Sequence, residues 1–250
     1  MKLTKQIPNI ITSLNILCGC VAILFATSGD LITAAVFVFL GIGFDFFDGL
    51  AARLFKAQSE VGLQLDSLAD VITSGVAPGV VMFQMFNLSF FHQMQSLTEI
   101  FSLQGWNVGF QNYLPLIGLL IVVAAAYRLA KFNVDTRQTT GFIGLPTPAN
   151  ALLILSLPLI LQFQYSEWAE TIILNPWFLT GMTLLSCILL NAEIPLFALK
   201  FKTWDFKTNA VRYVFLILCA LLLVLLKFWA IPLIILLYIC ISLFWENAKS

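Results

Sequence analysis

Charged side chains are scarce in this chain, and histidine is almost absent. Only 10% of the 250 residues are Asp, Glu, Lys or Arg, and His92 is the single histidine. Apolar residues make up 60% of the chain, and the mean hydropathy is +0.95. This composition lies outside the range of soluble globular domains and inside that of membrane proteins. The shortage of charge therefore argues against a soluble domain, and the lone histidine excludes a site built from several imidazoles.

The chain also lacks the motifs that identify several other classes of function. Its five cysteines all lie in apolar segments, and Cys18 and Cys20 are two residues apart, so they do not share a helix face. We interpret all five as small apolar side chains. There is no glycine-rich nucleotide motif, no internal repeat and no basic tract with interleaved aromatic residues. A nucleic-acid partner is therefore not indicated.

Long apolar segments are abundant, and a helix needs about 20 mostly apolar residues to cross a bilayer core. Pro8 and Asn9 open the first segment, and no small-residue cleavage site follows it, so we interpret it as a retained helix and not as a signal peptide. The sequence predicts an all-α, polytopic membrane helix bundle that forms a single domain over residues 1–250. The eight predicted membrane helices cover roughly residues 8–28, 31–53, 67–90, 114–133, 148–164, 176–193, 210–227 and 229–245.

The placement of basic residues predicts the orientation of this bundle. With a cytoplasmic N-terminus and eight helices, twelve of the thirteen basic residues lie on the inner side, and Lys227 is the exception. Short cytoplasmic loops are enriched in Lys and Arg, so this split predicts that both termini are cytoplasmic. We expect an integral protein of the cytoplasmic membrane.

Five of the thirteen acidic residues fall within the 26 positions from 45 to 70, and four of them are aspartates. Asp45 and Asp48 are three residues apart and Asp66 and Asp70 are four apart, so each pair shares one face of a helix. The connection between the two helices is short and contains Gly62, which makes the helices antiparallel neighbours. We therefore expect the two pairs to converge near the inner membrane surface.

Four carboxylates at close range need compensation, either by protonation or by cations. With no cysteine or histidine nearby, they form an all-oxygen set that suits hard divalent ions such as Mg²⁺, Mn²⁺ or Ca²⁺. Two such ions would balance the four charges, an arrangement suited to phosphoryl transfer. A proton relay or ion pathway is the alternative, and Asp66 could instead be a helix N-cap.

Small residues accompany the aspartates. Gly49 follows Asp48 within a helix, where glycine costs about 1 kcal/mol relative to alanine. A helix accepts this cost where another group must approach the backbone closely, and Ala52 and Gly62 leave space in the same way. Arg53, at the inner end of the helix, is placed to meet a diphosphate.

The chain resembles the CDP-alcohol phosphatidyltransferases at all eight fixed positions of that family's signature: Asp45, Asp48, Gly49, Ala52, Arg53, Gly62, Asp66 and Asp70. Members of this family are membrane enzymes that transfer a phosphatidyl or similar group from a CDP-linked donor to an alcohol and release CMP. The resemblance implies that the four aspartates hold two divalent cations and that Asp70 is the general base. It also implies that the four other residues line the nucleotide site, and that the chain forms a homodimer.

Three further stretches resemble the integral-membrane subfamily that uses serine as the alcohol, the phosphatidylserine synthases. They are PNIITSLNILCG at 8–19, LDSLADVITSGVAPG at 65–79, and RLAKFN at 128–133 with GLPTPANA at 144–151. This resemblance implies CDP-diacylglycerol and L-serine as substrates. Ser74 departs from it, because a bulky aromatic residue is expected there, and the change affects either packing or the acceptor pocket.

The same resemblance suggests further contacts. Asn15 is a candidate contact to the base or ribose of the nucleotide, with an interhelical hydrogen bond as the alternative. Arg128 could pair with the carboxylate of serine, or it could anchor the helix at the lipid headgroups. Asn133 and Thr147 could supply polar contacts to serine. Glycerol 3-phosphate and inositol stay open as other acceptors, and an ion or proton transporter is a more distant alternative.

Overall fold

The computed structural model describes residues 6–94, 110–135, 141–197 and 205–247, and nearly all of them are helical. Helices α1 to α4 and α6 to α8 follow one another with short connections, as expected for antiparallel neighbours in a bundle. In chain order the helices are α1 (Ile7–Thr27), α2 (Leu31–Leu54), α3 (Glu60–Asp70), a π-helical segment (Val71–Val76), α4 (Ala77–Phe91), a 3₁₀ segment (Phe110–Leu119), α5 (Leu120–Val134), α6 (Thr147–Phe163), α7 (Glu167–Ile173), α8 (Pro176–Asn191), α9 (Phe206–Leu226), a 3₁₀ turn (Lys227–Trp229) and α10 (Ala230–Asn247).

Capping side chains fix the starts of the helices that carry the aspartates. The Asp30 carboxylate accepts a hydrogen bond of 2.9 Å from the Thr33 amide at the start of α2. The Ser59 hydroxyl accepts one of 3.0 Å from the Gly62 amide at the start of α3. The third helix therefore begins seven residues before the predicted position 67. Asp66 lies inside it, so the alternative that Asp66 is an N-cap is wrong.

Five helical stretches among the described residues are long and apolar enough to cross a membrane, or six if the bent pair α7 and α8 forms one span. One of the five, Asn209–Leu243, covers most of α9 and of α10, which fold back on each other at the 3₁₀ turn. The rings of Phe215 and Tyr238 lie 5.7 Å apart across this hairpin. A multi-spanning helical protein is thus confirmed, while the count of eight crossings stays a prediction.

Helix α4 lies at the centre of the bundle. Met82 and Phe86 on α4 are fully buried, together with Ile154 and Leu155 of α6. Gly118 allows a close approach, since a Cβ atom there would lie 2.8 Å from the Phe83 amide nitrogen. In a membrane, helices associate through such close van der Waals packing because lipid is as apolar as the side chains.

A small antiparallel sheet closes one end of the bundle, which we call the sheet end. Its strands are β1 (Gly141–Ile143) and β2 (Pro195–Phe197), and Gly141 pairs with Phe197. Among the described residues, these two three-residue strands are the one departure from the predicted all-α fold. The sheet ties the connection after α5 to the connection after α8 and leads directly into α6.

The opposite end, which we call the turn end, contains the 3₁₀ turn between α9 and α10. The Gln164 side chain, just after α6, donates to the Leu226 carbonyl at 3.1 Å and accepts from the Phe228 amide at 2.8 Å. The rings of Trp168 and Trp229 stack with their centroids 5.0 Å apart. Helix α6 therefore runs from the sheet end to the turn end.

Candidate active site

The four aspartates meet at the sheet end, between α2 and α3. Carboxylate oxygens of Asp45, Asp48 and Asp66 all lie within 4.8 Å of one another. Asp70 is one helical turn beyond Asp66 and stands outside this group. It faces the start of α6, where the Thr147 hydroxyl donates to its carboxylate at 3.4 Å. The structure thus brings three aspartates into one cluster and places the fourth at its edge.

The cluster fits a divalent cation. Its ligands are carboxylate oxygens alone, which suits Mg²⁺, Mn²⁺ or Ca²⁺. Among the described residues, no Lys or Arg lies at ion-pair distance from any of the four carboxylates. Carboxylates that approach one another without a basic partner are stabilised by protonation or by a bound cation. The geometry therefore favours a metal site over an ion-paired structural cluster.

Thr12 on α1 positions one of the carboxylates. Its hydroxyl lies 2.6 Å from a carboxylate oxygen of Asp48 and 3.0 Å from the Pro8 carbonyl, and both side chains are almost fully buried. Groups that hold a metal-binding side chain in place tune the metal as well. Sequence reasoning missed this role, although Thr12 is one of a few polar residues in a largely apolar helix, which was a signal for it.

A cavity of about 490 Å³ opens beside the cluster, and we call it the larger cavity. Gly49, Ala52 and Gly62 all line it, as do Thr12 and Asp48. A Cβ atom built on Gly49 would meet nothing within 4 Å. Three of the residues predicted to line the nucleotide site therefore surround one open space next to the carboxylates.

The two other predicted nucleotide contacts lie elsewhere. The Arg53 guanidinium turns back along its own helix, where its Nε donates to the Gly49 carbonyl at 2.9 Å. Asn15 is fully buried against Gly41 and Thr73 and lines neither cavity described here. No hydrogen-bond partner is found for its side-chain amide among the described residues, so the alternative of an interhelical side-chain hydrogen bond is not realised.

A second space, the smaller cavity of about 220 Å³, lies on the other side of the cluster. It is lined by three of the aspartates and by all three side chains predicted to contact the acceptor. These six residues are Asp45, Asp66, Asp70, Arg128, Asn133 and Thr147. Asp66 lines both cavities, so the two spaces meet at the carboxylates.

Arg128 is the basic residue of the smaller cavity. It is only 7% exposed, and it lies within electrostatic range of Asp70. Its guanidinium is also 6.0 Å from the centre of the Phe132 ring. Because the side chain is buried inside the bundle, the alternative that it anchors α5 among the lipid headgroups does not match its position.

Asn133 is held by a neighbour that sequence reasoning did not single out. The Asn133 amide donates to the Ser67 hydroxyl at 2.9 Å, and that hydroxyl lies 3.1 Å from the Asn133 amide oxygen. Ser67 follows Asp66 on α3 and also lines the smaller cavity. This contact fixes the end of α5 against the helix that carries the aspartates.

Ser74 lies in the π-helical segment that directly follows Asp70. Its side chain is 1% exposed, and its hydroxyl has no hydrogen-bond partner among the described residues. It lines neither cavity. Of the two expectations for this residue, the structure supports an effect on packing and not on the acceptor pocket.

A partly buried carboxylate cluster lies where two cavities meet, among helices that are long and apolar enough to cross a membrane, and its oxygen ligands suit a divalent cation. The family model of the CDP-alcohol phosphatidyltransferases matches residues 5–188, and the chain belongs to this family. It is thus an enzyme of the phosphatidyltransferase class.

Several curated relatives are named CDP-diacylglycerol–serine O-phosphatidyltransferase. The protein of Bacillus subtilis is 32% identical over 166 residues, which cover 65% of this chain and 78% of that protein. The Helicobacter pylori protein is 30% identical over 213 residues, or 84% of this chain and 79% of the relative. The Mycobacterium bovis protein is 30% identical over 242 residues, or 94% of this chain and 76% of the relative.

Proposed function

We propose that this chain transfers the phosphatidyl group from CDP-diacylglycerol to the hydroxyl of L-serine and releases phosphatidylserine and CMP. The observation that carries the proposal is the meeting of two cavities at the aspartates. One is large and lined by small residues, and the other is small and lined by Arg128. A two-substrate transfer needs one space for the donor, one for the acceptor and shared catalytic groups between them.

The larger cavity is the proposed donor site. Its volume of about 490 Å³ suits a nucleotide, and Gly49 leaves open space for the close approach of a ligand. We assign Gly49, Ala52 and Gly62 to the CDP group. Arg53 would turn from the Gly49 carbonyl toward the diphosphate. Asn15 is retained as a contact to the base or ribose because its buried amide lacks a protein partner.

The smaller cavity is the proposed acceptor site. Its volume of about 220 Å³ fits a molecule as small as serine. The buried guanidinium of Arg128 would pair with the serine carboxylate, which is the strongest kind of charge-assisted contact. Asn133 and Thr147 would donate and accept the remaining hydrogen bonds.

Asp70 is the proposed general base. Its carboxylate lines the acceptor cavity and is oriented by Thr147, so it is placed to take the proton of the serine hydroxyl. The serine oxygen then bonds to the phosphorus that bears diacylglycerol, and the bond from that phosphorus to the CMP oxygen breaks. Two divalent ions, Mg²⁺ or Mn²⁺ and less favourably Ca²⁺, held by Asp45, Asp48, Asp66 and Asp70, would neutralise the diphosphate and the leaving CMP.

The charge of the acceptor cavity favours serine over a phosphorylated alcohol. Arg128 is the basic side chain that lines this cavity in the described part of the chain. Lys131, one helical turn further on, forms an ion pair of 3.2 Å with Glu193 and does not line the cavity. Glycerol 3-phosphate would bring a doubly charged group and call for more cations. A transporter is disfavoured because the acids cluster at one end of one helix pair.

We further propose eight membrane crossings with both termini and the site on the cytoplasmic side, and a homodimer as in other family members. The short helix α6, the bent pair and the α9–α10 hairpin supply the crossings beyond the four other long stretches. Arg53 and Lys131 lie at the sheet end, whereas Glu167 and Glu170 lie near the turn end. This distribution supports a cytoplasmic sheet end. Several further basic residues lie outside the described residues.

The experiment offers labelled serine, glycerol 3-phosphate and inositol in parallel to the purified chain with CDP-diacylglycerol and Mn²⁺. CMP release and labelled lipid are both followed. We expect label from serine alone, lost in Asp70→Asn and kept in Glu167→Gln, which makes the same chemical change on an exposed helix near the turn end. Label from another alcohol would overturn the serine assignment. Absence of CMP release from folded, metal-loaded protein would overturn the transfer reaction.

A further inference from the structure

A third cavity, which we call the water-sized cavity, lies where the last turns of α5 meet the end of α8 and strand β1. Its volume is about 10 Å³, and Arg128, Asn191 and Ile143 are among the residues that line it. Arg128 and Phe132 also line the smaller cavity, so the two spaces adjoin at these side chains. The side chain assigned to the acceptor therefore has a second polar space beside it.

Two buried polar atoms without a partner belong to residues that line the water-sized cavity. Among the described residues, no acceptor is found for the Nε of Arg128 and no donor for the Oδ1 of Asn191. Arg128 is only 7% exposed, so bulk solvent does not hydrate its Nε freely. Burial of a polar group without a hydrogen bond is very unfavourable. Each of the two atoms therefore requires a partner.

Backbone contacts fix the orientation of the Asn191 amide. Its Nδ2 donates to the Ala124 carbonyl of α5 and to the Cys187 carbonyl of its own helix, both at 3.2 Å. The reversed amide would place Oδ1 against two carbonyl oxygens, which cannot donate to it. The oxygen of Asn191 is therefore the atom that can accept from a donor in the cavity.

The segment that carries Asn191 is held against the turn that follows β1. The Leu145 amide donates to the Leu189 carbonyl at 2.8 Å. The Gly144 amide donates to the Ile194 carbonyl at 2.9 Å. These two contacts flank Asn191, which is the last residue of α8. Its acceptor oxygen thus has a defined position relative to α5.

We propose that one water molecule occupies the water-sized cavity, where it accepts from the Nε of Arg128 and donates to the Oδ1 of Asn191. Asn191 is then a positioning residue that acts on Arg128 through this water. The volume of about 10 Å³ corresponds to a single water molecule. The ligand that Arg128 binds rests on the proposed function, whereas the water site does not.

A neutral molecule fits the charges around this cavity. Arg128 and Lys131 disfavour a cation, and Asp135, which also lines the cavity, disfavours an anion. Lys131 already forms its ion pair with Glu193 at 3.2 Å. Water can accept on one side and donate on the other, as the two atoms require. Because water is uncharged, the positive charge of Arg128 remains for an anionic ligand in the smaller cavity.

A structure at a resolution that shows ordered water tests the site directly. In the wild type we expect one water within hydrogen-bonding distance of both Arg128 Nε and Asn191 Oδ1. We expect no water there in Asn191→Leu, which removes the acceptor oxygen. A dry cavity in the wild type, or a direct bond between the two side chains, would overturn the proposal. A water that persists in Asn191→Leu would overturn the role of Asn191.

Kinetics test the positioning role. In Asn191→Leu we expect the KM for the acceptor to rise about five-fold, the range of one hydrogen bond, with no change in the KM for CDP-diacylglycerol. Asn87→Leu, near the far end of α4, is the matched control. It also removes a buried amide whose Nδ2 is bonded and whose Oδ1 has no partner in the described part of the chain. An unchanged acceptor KM in Asn191→Leu, or an equal rise in the control, would contradict the proposal.

The Arg128→Lys background separates positioning from a general effect on packing. Lysine keeps the positive charge but lacks the Nε–H of a guanidinium. In this background we expect Asn191→Leu to add nothing to the change in acceptor KM, whereas an effect through helix packing would multiply it and overturn the proposal. The acceptor used is the alcohol that the wild type labels in the three-alcohol experiment. An error in the serine assignment therefore appears in the wild type and not in these variants.

Discussion

At the scale of single residues, two of the four aspartates are contacted by a hydroxyl from another helix. Thr12 of α1 holds Asp48, and Thr147 of α6 reaches Asp70. Both threonines are almost fully buried, so water cannot replace them easily. The positions of Asp48 and Asp70 thus depend on α1 and α6 as well as on the helices that carry them.

Thr12→Val should weaken metal binding. It removes the hydroxyl at 2.6 Å from the Asp48 carboxylate while it preserves the shape of the side chain. Loss of such a supporting contact typically costs about 10- to 100-fold in metal affinity or activity. The Mn²⁺ concentration for half-maximal CMP release measures the effect. Ser13→Ala is the control, because that hydroxyl bonds only the Asn9 carbonyl on an exposed face. Equal Mn²⁺ dependence in the two variants would contradict a role for Thr12.

Gly49→Leu should block the donor site. The added side chain would project into the open space over Gly49, inside the larger cavity. We expect a large rise in the KM for CDP-diacylglycerol with an unchanged KM for serine. Gly43→Leu is the matched control, because Gly43 is on the same helix and also faces open space, but does not line the cavity. Similar kinetics in both variants would argue against a donor in this cavity.

At the scale of secondary-structure elements, the β1–β2 sheet holds the acceptor side together. Gly144 follows β1 with a φ of +75°, and a Cβ atom there would lie 2.7 Å from the Leu190 carbonyl oxygen. Its amide donates to the Ile194 carbonyl at 2.9 Å. This turn leads the chain into α6, which carries Thr147.

Gly144→Ala should destabilise the protein. A residue other than glycine in the left-handed region costs roughly 1–3 kcal/mol, and the contact with the Leu190 carbonyl adds to this cost. The midpoint of thermal unfolding in detergent measures the loss. Gly181→Ala is the control, because a Cβ atom on Gly181 meets nothing within 4 Å in α8. A midpoint for Gly144→Ala equal to that of the control would contradict this view of the turn.

The sequence was most informative where the position of a side chain depends on the geometry of a single helix. The spacing of Asp45, Asp48, Asp66 and Asp70 predicts two carboxylates on one face of each helix, and the structure brings three of them within 4.8 Å. The sequence was uninformative where a structural element depends on pairing between segments that are far apart in the chain. Strands β1 and β2 have three residues each and pair across more than fifty positions, so no local pattern predicts them.

At the scale of the whole molecule, the site lies at one end of the bundle. The aspartates, Arg128 and the β1–β2 sheet are at the sheet end, and the Lys227–Trp229 turn marks the other. A soluble acceptor such as serine must therefore arrive from one side of the membrane. In the proposed reaction, the CDP-diacylglycerol donor would place its headgroup at the same side, with its acyl chains in lipid.

Cysteine labelling tests this orientation. In a variant without the five native cysteines, Lys56→Cys lies in the α2–α3 connection and Ser166→Cys lies at the start of α7. We expect an impermeant thiol reagent to label Lys56→Cys from the cytoplasmic side only and Ser166→Cys from the opposite side only. Labelling of both from one side would contradict the proposed topology. Retained CMP release shows that the cysteine-free protein is folded.

The most direct test of the central claim is the count of Mn²⁺ ions bound by the purified chain, measured by electron paramagnetic resonance. Asp66 is the residue to change, because it belongs to the carboxylate cluster and lines both cavities. We predict two bound ions per chain in the wild type and in Glu167→Gln. In Asp66→Asn we predict fewer bound ions and a parallel loss of CMP release. Unaltered Mn²⁺ binding in folded Asp66→Asn protein would contradict a metal site built by these aspartates.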